Sequence, residues 1–371
     1  MEMKFNHQIF FYCCPFGSPE KQPYHHGMVC LAEGFKALGI QFFSNINYWQ
    51  HSPEEEKYLL CHEPTVIPDD CSVVVLDHDY FRFNNNSLPE NLFHPNRKYI
   101  TVYLDCDDGT KTTSFDSQFR EFDFIFKTHY NSKSKYPKNF HPWAFGLSER
   151  ILLETKCISS FQNRKRHLLV NFRHKKAGHP VRNISCKEFF PILQKVLPIN
   201  DSTDNLDSPP MDKYHYLQWF QTGRRHYPSY YKCLKESVAC ACFGGFFVSQ
   251  LPQDHSILIS RLIKRVFSQI SLKSNTIAQW DSWRLWESLA AGCATFHVDF
   301  KKYGFLLPVM PENWKHYVGI DLDNIQEAVN RIADEPEILE KISTEGRLWA
   351  LEHYSPVPTS RRFLETVCNK L

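Results

Sequence analysis

The chain predicts an α/β fold of two Rossmann-like domains whose parallel sheets face one another across a cleft. Three observations carry that expectation. At 371 residues the chain exceeds what one ordinary hydrophobic core accommodates. Short apolar runs alternate with helical patterns through its first part. The alternation lapses at residues 137–145, which hold two prolines, and then begins again.

Residues 9–13 form the first apolar run, and a loop rich in Pro and Gly follows at 15–23. From His26-Gly27 a helical pattern puts Met28, Leu31, Ala32, Phe35 and Leu38 on one face, and Gly39 ends it. Further strand-like runs stand at 40–43, 72–76, 99–104 and 122–126. Short buried strands separated by helices imply a parallel sheet with right-handed crossovers. Past the break, 168–172, 238–243 and 294–298 resume the pattern, while 200–212, rich in Asp, Ser and Pro, reads as a mobile loop. Helical patterns at 325–333, 336–353 and 358–371 close the chain. The expected division is a first domain over 1–140, a second over 141–355, and a C-terminal helix over 356–371.

Composition narrows the function. With 43 basic and 41 acidic residues the net charge is +2, too even a balance for nucleic acid as the main ligand. The 13 cysteines are irregularly spaced and form no CxxC pair, which points to reduced thiols rather than disulfides or zinc. The N-terminal residues are not patterned as a signal peptide, and no apolar run reaches the length of a membrane span. A cytoplasmic protein is the expectation.

The most informative segment is Arg284-Leu285-Trp286-Glu287-Ser288-Leu289-Ala290-Ala291-Gly292-Cys293-Ala294. A helix runs to Gly292, which suits the left-handed position at a helix end, and a strand follows at once. Arg284 and Glu287, three apart, share a helix face; a surface salt bridge is their plainest role. The string resembles the donor-site helix of GT-B glycosyltransferases, and is most similar to the exostosin-like and spore-maturation-protein-like groups. His141-Pro142-Trp143-Ala144-Phe145-Gly146 resembles the crossing between domains in that superfamily. His353-Tyr354-Ser355-Pro356 with Arg361-Arg362-Phe363-Leu364 resembles its closing helix, which returns to the first domain.

The resemblance implies transfer of a sugar from a nucleotide-sugar donor, with no cofactor and no metal, to an acceptor that it does not identify. It implies that Glu287 grips the ribose hydroxyls and that Arg284 lies near the diphosphate, with the helix N-terminus at Ser282 pointing at the same charge. Retaining members carry a second Glu eight residues before the ribose Glu; Gln279 stands there in this chain, which leaves the stereochemistry open.

Other residues are read from position. Arg173 and Lys176 lie at a strand-to-loop turn where a diphosphate needs cations; a solvated basic loop is the alternative. Gly244, beside Gly245, either brings backbone close to a nucleotide or forms a turn. His25 and His26 follow the first strand, and inverting GT-B enzymes often keep a base there. His26 is the first candidate, with a capping or surface role as the alternative for each. Asp105-Cys106-Asp107 reads as an acceptor-cleft pair or a turn, with Asp105 and Asp107 next in line as base if neither His serves. Two other functions fit the same scaffold, a nucleotide-sugar epimerase and a non-catalytic nucleotide-binding module.

Overall fold

The computed structural model describes residues 8–107, 117–172, 179–203, 208–247 and 276–368. Its first half contains β1 (Ile9–Phe11), α1 (His26–Ala37), β2 (Phe42–Ser44), a hairpin of β3 (Tyr48–Gln50) and β4 (Tyr58–Leu60), β5 (Val73–Asp77), α2 (His78–Phe83), β6 (Ile100–Asp105), β7 (Phe124–Lys127) and β8 (Phe140–Pro142). The sheet order is β2-β1-β5-β6-β7-β8, and every pairing is parallel. β5 shows why these apolar runs become central strands. Alternate side chains face opposite ways, so Val73 and Val75 join the core under α1 while Val74 and Leu76 join the core on the other face.

The second half runs through α3 (Glu149–Glu154), β9 (Lys165–Val170), α4 (Pro180–Ile184), α5 (Phe190–Leu193), β10 (Ile199–Asp201), α6 (Lys213–Gln221), α7 (Pro228–Glu236) and β11 (Ser237–Ala241). A two-strand ladder of β12 (Phe246–Phe247) and β13 (Ile277–Ala278) follows, then α8 (Trp283–Ala290), β14 (Ala294–Val298), α9 (Phe300–Tyr303), β15 (Val318–Ile320), α10 (Ile325–Asp334), α11 (Ile338–Tyr354) and α12 (Pro356–Cys368). Its sheet, β10-β9-β11-β14-β15, is again parallel.

α8 stops where the sequence predicts. Gly292 has φ +66°, and the last carbonyls of the helix find donors: Ser343 Oγ lies 2.7 Å from the Gly292 oxygen and Arg164 Nη1 lies 3.2 Å from the Ala291 oxygen. The tail crosses back to the first half as expected. Phe363 of α12 packs its ring 5.6 Å from Phe35 and 5.3 Å from Phe126, and Ser360 Oγ donates to the Leu31 carbonyl at 3.0 Å.

Three readings change. The 137–145 stretch holds β8, a strand of the first sheet, so that sheet runs through Pro142; as an edge strand it tolerates the proline. Part of the 200–212 loop is edge strand β10, ordered by pairing with β9. The β3–β4 hairpin has no counterpart in the sequence reading. All 13 cysteines are free thiols, and no helix among the described residues is long and apolar enough to cross a membrane.

Candidate functional site

The two sheets turn their carboxyl ends toward a shared cleft, where open α/β sheets bind ligands. A cavity of about 390 Å³ lies there. Its first wall carries Tyr24, His26, His78, Asp79, Arg82 and Asp107; its second carries Arg182, Arg225, Gly244, Gln279, Asp281, Ser282 and Trp283.

On the first wall, β5 ends at Asp77, whose Oδ1 accepts from the Tyr80 amide at 3.0 Å and so caps α2. This places His78 and Asp79 at the cleft. His78 Nε2 lies 3.5 Å from Asp107 Oδ1, and Asp79 Oδ2 accepts from the Tyr24 amide at 3.2 Å. Burial is the main cause that raises the Asp79 pKa, with the Asp77 charge adding to it.

Neither histidine expected as a base is free. His25 is fully buried; its Nδ1 is 2.8 Å from Asp77 Oδ1, and its Nε2 accepts from the Cys14 amide at 2.9 Å. Burial opposes charge on this ring most strongly, while the Asp77 carboxylate pulls toward the charged form, up to about 10. The Cys14 amide decides between them, because it needs a lone pair on Nε2 and so holds the ring neutral. His25 ties the loop after β1 to the end of β5. His26 lines the cavity, but its Nε2 faces the Gly146 carbonyl at 3.3 Å and must carry the ring proton, so Nδ1 accepts from the Tyr24 hydroxyl at 2.9 Å. Burial, helped by the Arg150 charge, lowers its pKa to about 3, which makes it a weak base at neutral pH. Asp105 is also corrected: its Oδ2 is paired with Lys127 Nζ at 2.8 Å and its Oδ1 accepts from the Asp107 amide at 3.2 Å, so it braces β6 against β7. Asp107, two residues on, reaches the cavity.

On the second wall, α8 is preceded by Ser282 at its cap, whose buried Oγ has no partner among the described residues, and Trp283 Nε1 is likewise unpartnered among them. Asp281 fixes this end: its Oδ1 accepts from the Ser282 amide and from Trp286 Nε1, each at 2.8 Å, and its Oδ2 accepts from the Phe145 amide at 2.9 Å. The Asp281 amide donates to His129 Nδ1 at 3.0 Å, joining the two walls. The Arg225 guanidinium lies 4.8 Å above the Trp283 ring. Arg182 Nε donates to the Phe243 carbonyl at 2.9 Å. At Gly244 a side chain would meet the Gln279 carbonyl at 2.9 Å, so the glycine permits close approach of the chain to itself.

The expected donor pair behaves differently from its reading. Arg284 and Glu287 share a helix face but do not pair. Glu287 is buried away from the cavity lining, with Oε1 accepting from the Tyr231 hydroxyl at 2.7 Å and Arg150 Nη2 standing 3.9 Å off as an ion-pair partner. The Arg284 guanidinium sits 5.7 Å from the Phe172 ring centroid, and its Nε has no acceptor among the described residues. Arg173 and Lys176 lie outside the described residues. Ser282 and Gly244 do line the cavity.

The sequence reading missed His78, Asp79, Arg182 and Arg225. Asp77-His78-Asp79 follows the apolar run 72–76 directly, and that strand-end position was a usable signal. Arg225 carries no local pattern that points to the cleft.

No protein family known from sequence matches this chain, and no curated protein does. Among solved structures it is similar to "alpha-glucosyltransferase (AGT) in complex with UDP", with TM-score 0.50 and 7% identity over 98% of this chain and 100% of that one. An alpha-glucosyltransferase in complex with UDP and a 13-mer DNA containing a central A:G mismatch gives TM-score 0.50 and 8% identity over 98% and 99%. AviGT4, a glycosyltransferase involved in Avilamycin A biosynthesis, gives 0.47 and 12% over 98% and 97%. At such identities the likeness is one of fold, and the fold of this chain is GT-B, two Rossmann-like domains facing across a cleft with the last helix returned to the first.

Proposed function

We propose that this chain is a glycosyltransferase that moves a sugar from a nucleoside-diphosphate donor to an acceptor hydroxyl in the cleft. One observation carries the reading: the cavity joins a wall of proton-accepting side chains, His78, Asp79 and Asp107, to a wall of anion-binding groups, Arg182, Arg225 and the start of α8. Opposed walls of that kind suit a reaction that takes a proton from one substrate while negative charge builds on the other.

The steps follow from that placement. The donor diphosphate lies against the second wall, near the amide end of α8 and the Ser282 hydroxyl. As the bond from the sugar to the diphosphate breaks, Arg182 and Arg225 take up the charge, which is stabilisation by groups already in place and requires no metal. The acceptor oxygen attacks the anomeric carbon and passes its proton to Asp107, which His78 orients, or to His78 itself. The half-buried Trp283 ring, packed edge-on against Tyr24 at 5.1 Å, offers an apolar surface at the cleft for a sugar. Glu287 acts from beneath, steadying α8 through Tyr231 and Arg150.

UDP, bound by the alpha-glucosyltransferase of like fold, is the first nucleotide to test. Calorimetry with UDP, GDP, ADP and dTDP, followed by donor-turnover assays with sugar, peptide and DNA acceptors, tests the reading. A chain that binds none of the four nucleotides at millimolar concentration sinks it.

A further inference from the structure

Away from the cavity lining, three side chains from separate elements converge on one point. Glu154 ends α3, His215 lies in the first turn of α6, and His226 lies between α6 and α7. Glu154 Oε1 is 3.2 Å from His215 Nε2 and 3.2 Å from His226 Nε2, and the three atoms lie within 4.8 Å of one another. Two donors on one zinc ion, each at about 2.1 Å and at the tetrahedral angle, stand about 3.4 Å apart. Both measured separations from Glu154 are close to that edge length.

The surroundings match a metal site in two further respects. Asp212 Oδ1 lies 2.8 Å from His215 Nδ1, and this carboxylate partner keeps the ring proton on Nδ1 and frees the Nε2 lone pair. The His215 side chain is 30% exposed and Glu154 14%, which leaves a path for an ion and room for water as a fourth ligand. His226 is fully enclosed, and its Nδ1 accepts from Arg150 Nη1 at 2.8 Å. Coordination through Nε2 requires the ring proton on Nδ1, so Arg150 must release it. Arg150 has other acceptors within reach: the Tyr231 hydroxyl at 2.8 Å from Nη1 and Glu287 Oε1 at 3.9 Å from Nη2.

We propose that Glu154, His215 and His226 bind one divalent ion of the zinc type, with water as the fourth ligand and Asp212 fixing His215 from behind. The donor set of two imidazoles and a carboxylate suits zinc or cobalt rather than calcium or magnesium. The proposal is independent of glycosyl transfer.

The test uses the full chain, stripped of metal by a chelator and titrated with cobalt(II) chloride, then with zinc chloride as competitor. The expected result is one cobalt ion per chain with the strong visible absorption of tetrahedral cobalt, displaced by one zinc. His215→Ala is expected to weaken binding at least tenfold, and Asp212→Asn by about 10- to 100-fold, the usual loss when an outer carboxylate partner is removed. Asp212 is a surface residue that touches no other proposed ligand, so it tests the site even if a ligand variant folds poorly; melting curves without metal check this. Absence of saturable binding, affinity equal to the parent's in both variants, or an absorption band of cobalt bound to thiolate would overturn the proposal.

Discussion

The Tyr231 hydroxyl stands 2.7 Å from Glu287 Oε1, so the carboxylate of α8 is anchored inside the second domain rather than presented at the cleft. Replacing Glu287 with Ala leaves the buried Tyr231 hydroxyl without its acceptor and removes the nearest carboxylate from Arg150. We expect a stability loss of about 1–3 kcal/mol, the usual cost of stranding a buried polar partner. Chemical denaturation measures it. A variant as stable as the parent and deficient only in nucleotide binding returns Glu287 to the ribose-binding role implied by resemblance.

His26 and His78 both line the cavity, yet their surroundings predict different consequences. Both nitrogens of His26 are occupied, and its pKa is lowered to about 3 by burial and by Arg150. His26→Gln is expected to leave the pH profile of turnover unchanged between pH 5 and 8. Asp107→Asn, which removes the carboxylate beside His78, is expected to lower kcat by about 10²-fold or more, the typical worth of a general base. Nucleotide affinity is expected to stay constant, which separates the chemical step from donor binding. A large kcat loss in His26→Gln with normal turnover in Asp107→Asn reverses the assignment.

The contrast between fold and site explains what the sequence makes legible. Residues 294–298 are buried throughout and hold Ala294, Phe296 and Val298 among five positions, so burial writes the strand into composition, and the observed β14 has those same bounds. Gly292 signals the helix end through the one conformation it adopts more readily than other residues. β3 and β15, three residues each, are too short to show a period, and their pairing partners set them. Spacing places Arg284 and Glu287 on one helix face but not which way that face looks. That is settled by Tyr231, 56 positions away in the chain. The same holds for His25, whose environment is set by Asp77, 52 positions later.

The joint between the walls predicts acid sensitivity. His129 Nδ1 accepts from the Asp281 amide, which requires a neutral ring, and burial, helped by the Lys127 charge, lowers its pKa from 6.5 to about 3. A depressed folded pKa contributes stability that is full above the unfolded value and lost as pH falls from 6.5 toward 3. At pH 5 this one group costs about 2 kcal/mol relative to pH 7.5, at about 1.4 kcal/mol per pH unit. His129→Gln, which keeps a neutral polar group, is expected to be less stable at pH 7.5 but to lose less on acidification. Denaturation midpoints at both pH values check this; equal pH dependence in parent and variant rules it out.

The return of α12 predicts a steric test of the fold. A side chain on Gly34 of α1 would meet the Pro356 carbonyl oxygen and Ser360 Oγ, each at 2.2 Å. The Pro356 oxygen belongs to the backbone, so the helices must separate to admit even a methyl group. Gly34→Ala is expected to cost about 1–3 kcal/mol, the range for overpacking a close contact, although alanine favours helix in isolation. Thermal melting reads the effect, and a variant more stable than the parent contradicts the contact.

Arg225 gives the sharpest test of the donor wall. It is exposed, so its truncation spares the core, and its guanidinium stands over the Trp283 ring at 4.8 Å, beside the amide end of α8. In the proposed donor pose, a cation held there meets the diphosphate and not the base or ribose. Arg225→Ala is therefore expected to weaken UDP by about 10- to 100-fold, the equivalent of one or two charge-assisted hydrogen bonds. Uridine, which lacks the diphosphate, is expected to bind with unchanged affinity in the variant. The difference between parent and variant is also expected to shrink as salt rises, because the contact is solvent-exposed and screened. Arg225→Lys keeps the charge but loses the planar fork, so an intermediate affinity is expected. Calorimetry with both ligands at two salt concentrations decides the matter. Equal losses for UDP and uridine mean that Arg225 shapes the pocket through Trp283 rather than binding phosphate, and no loss for either moves the diphosphate to Arg182.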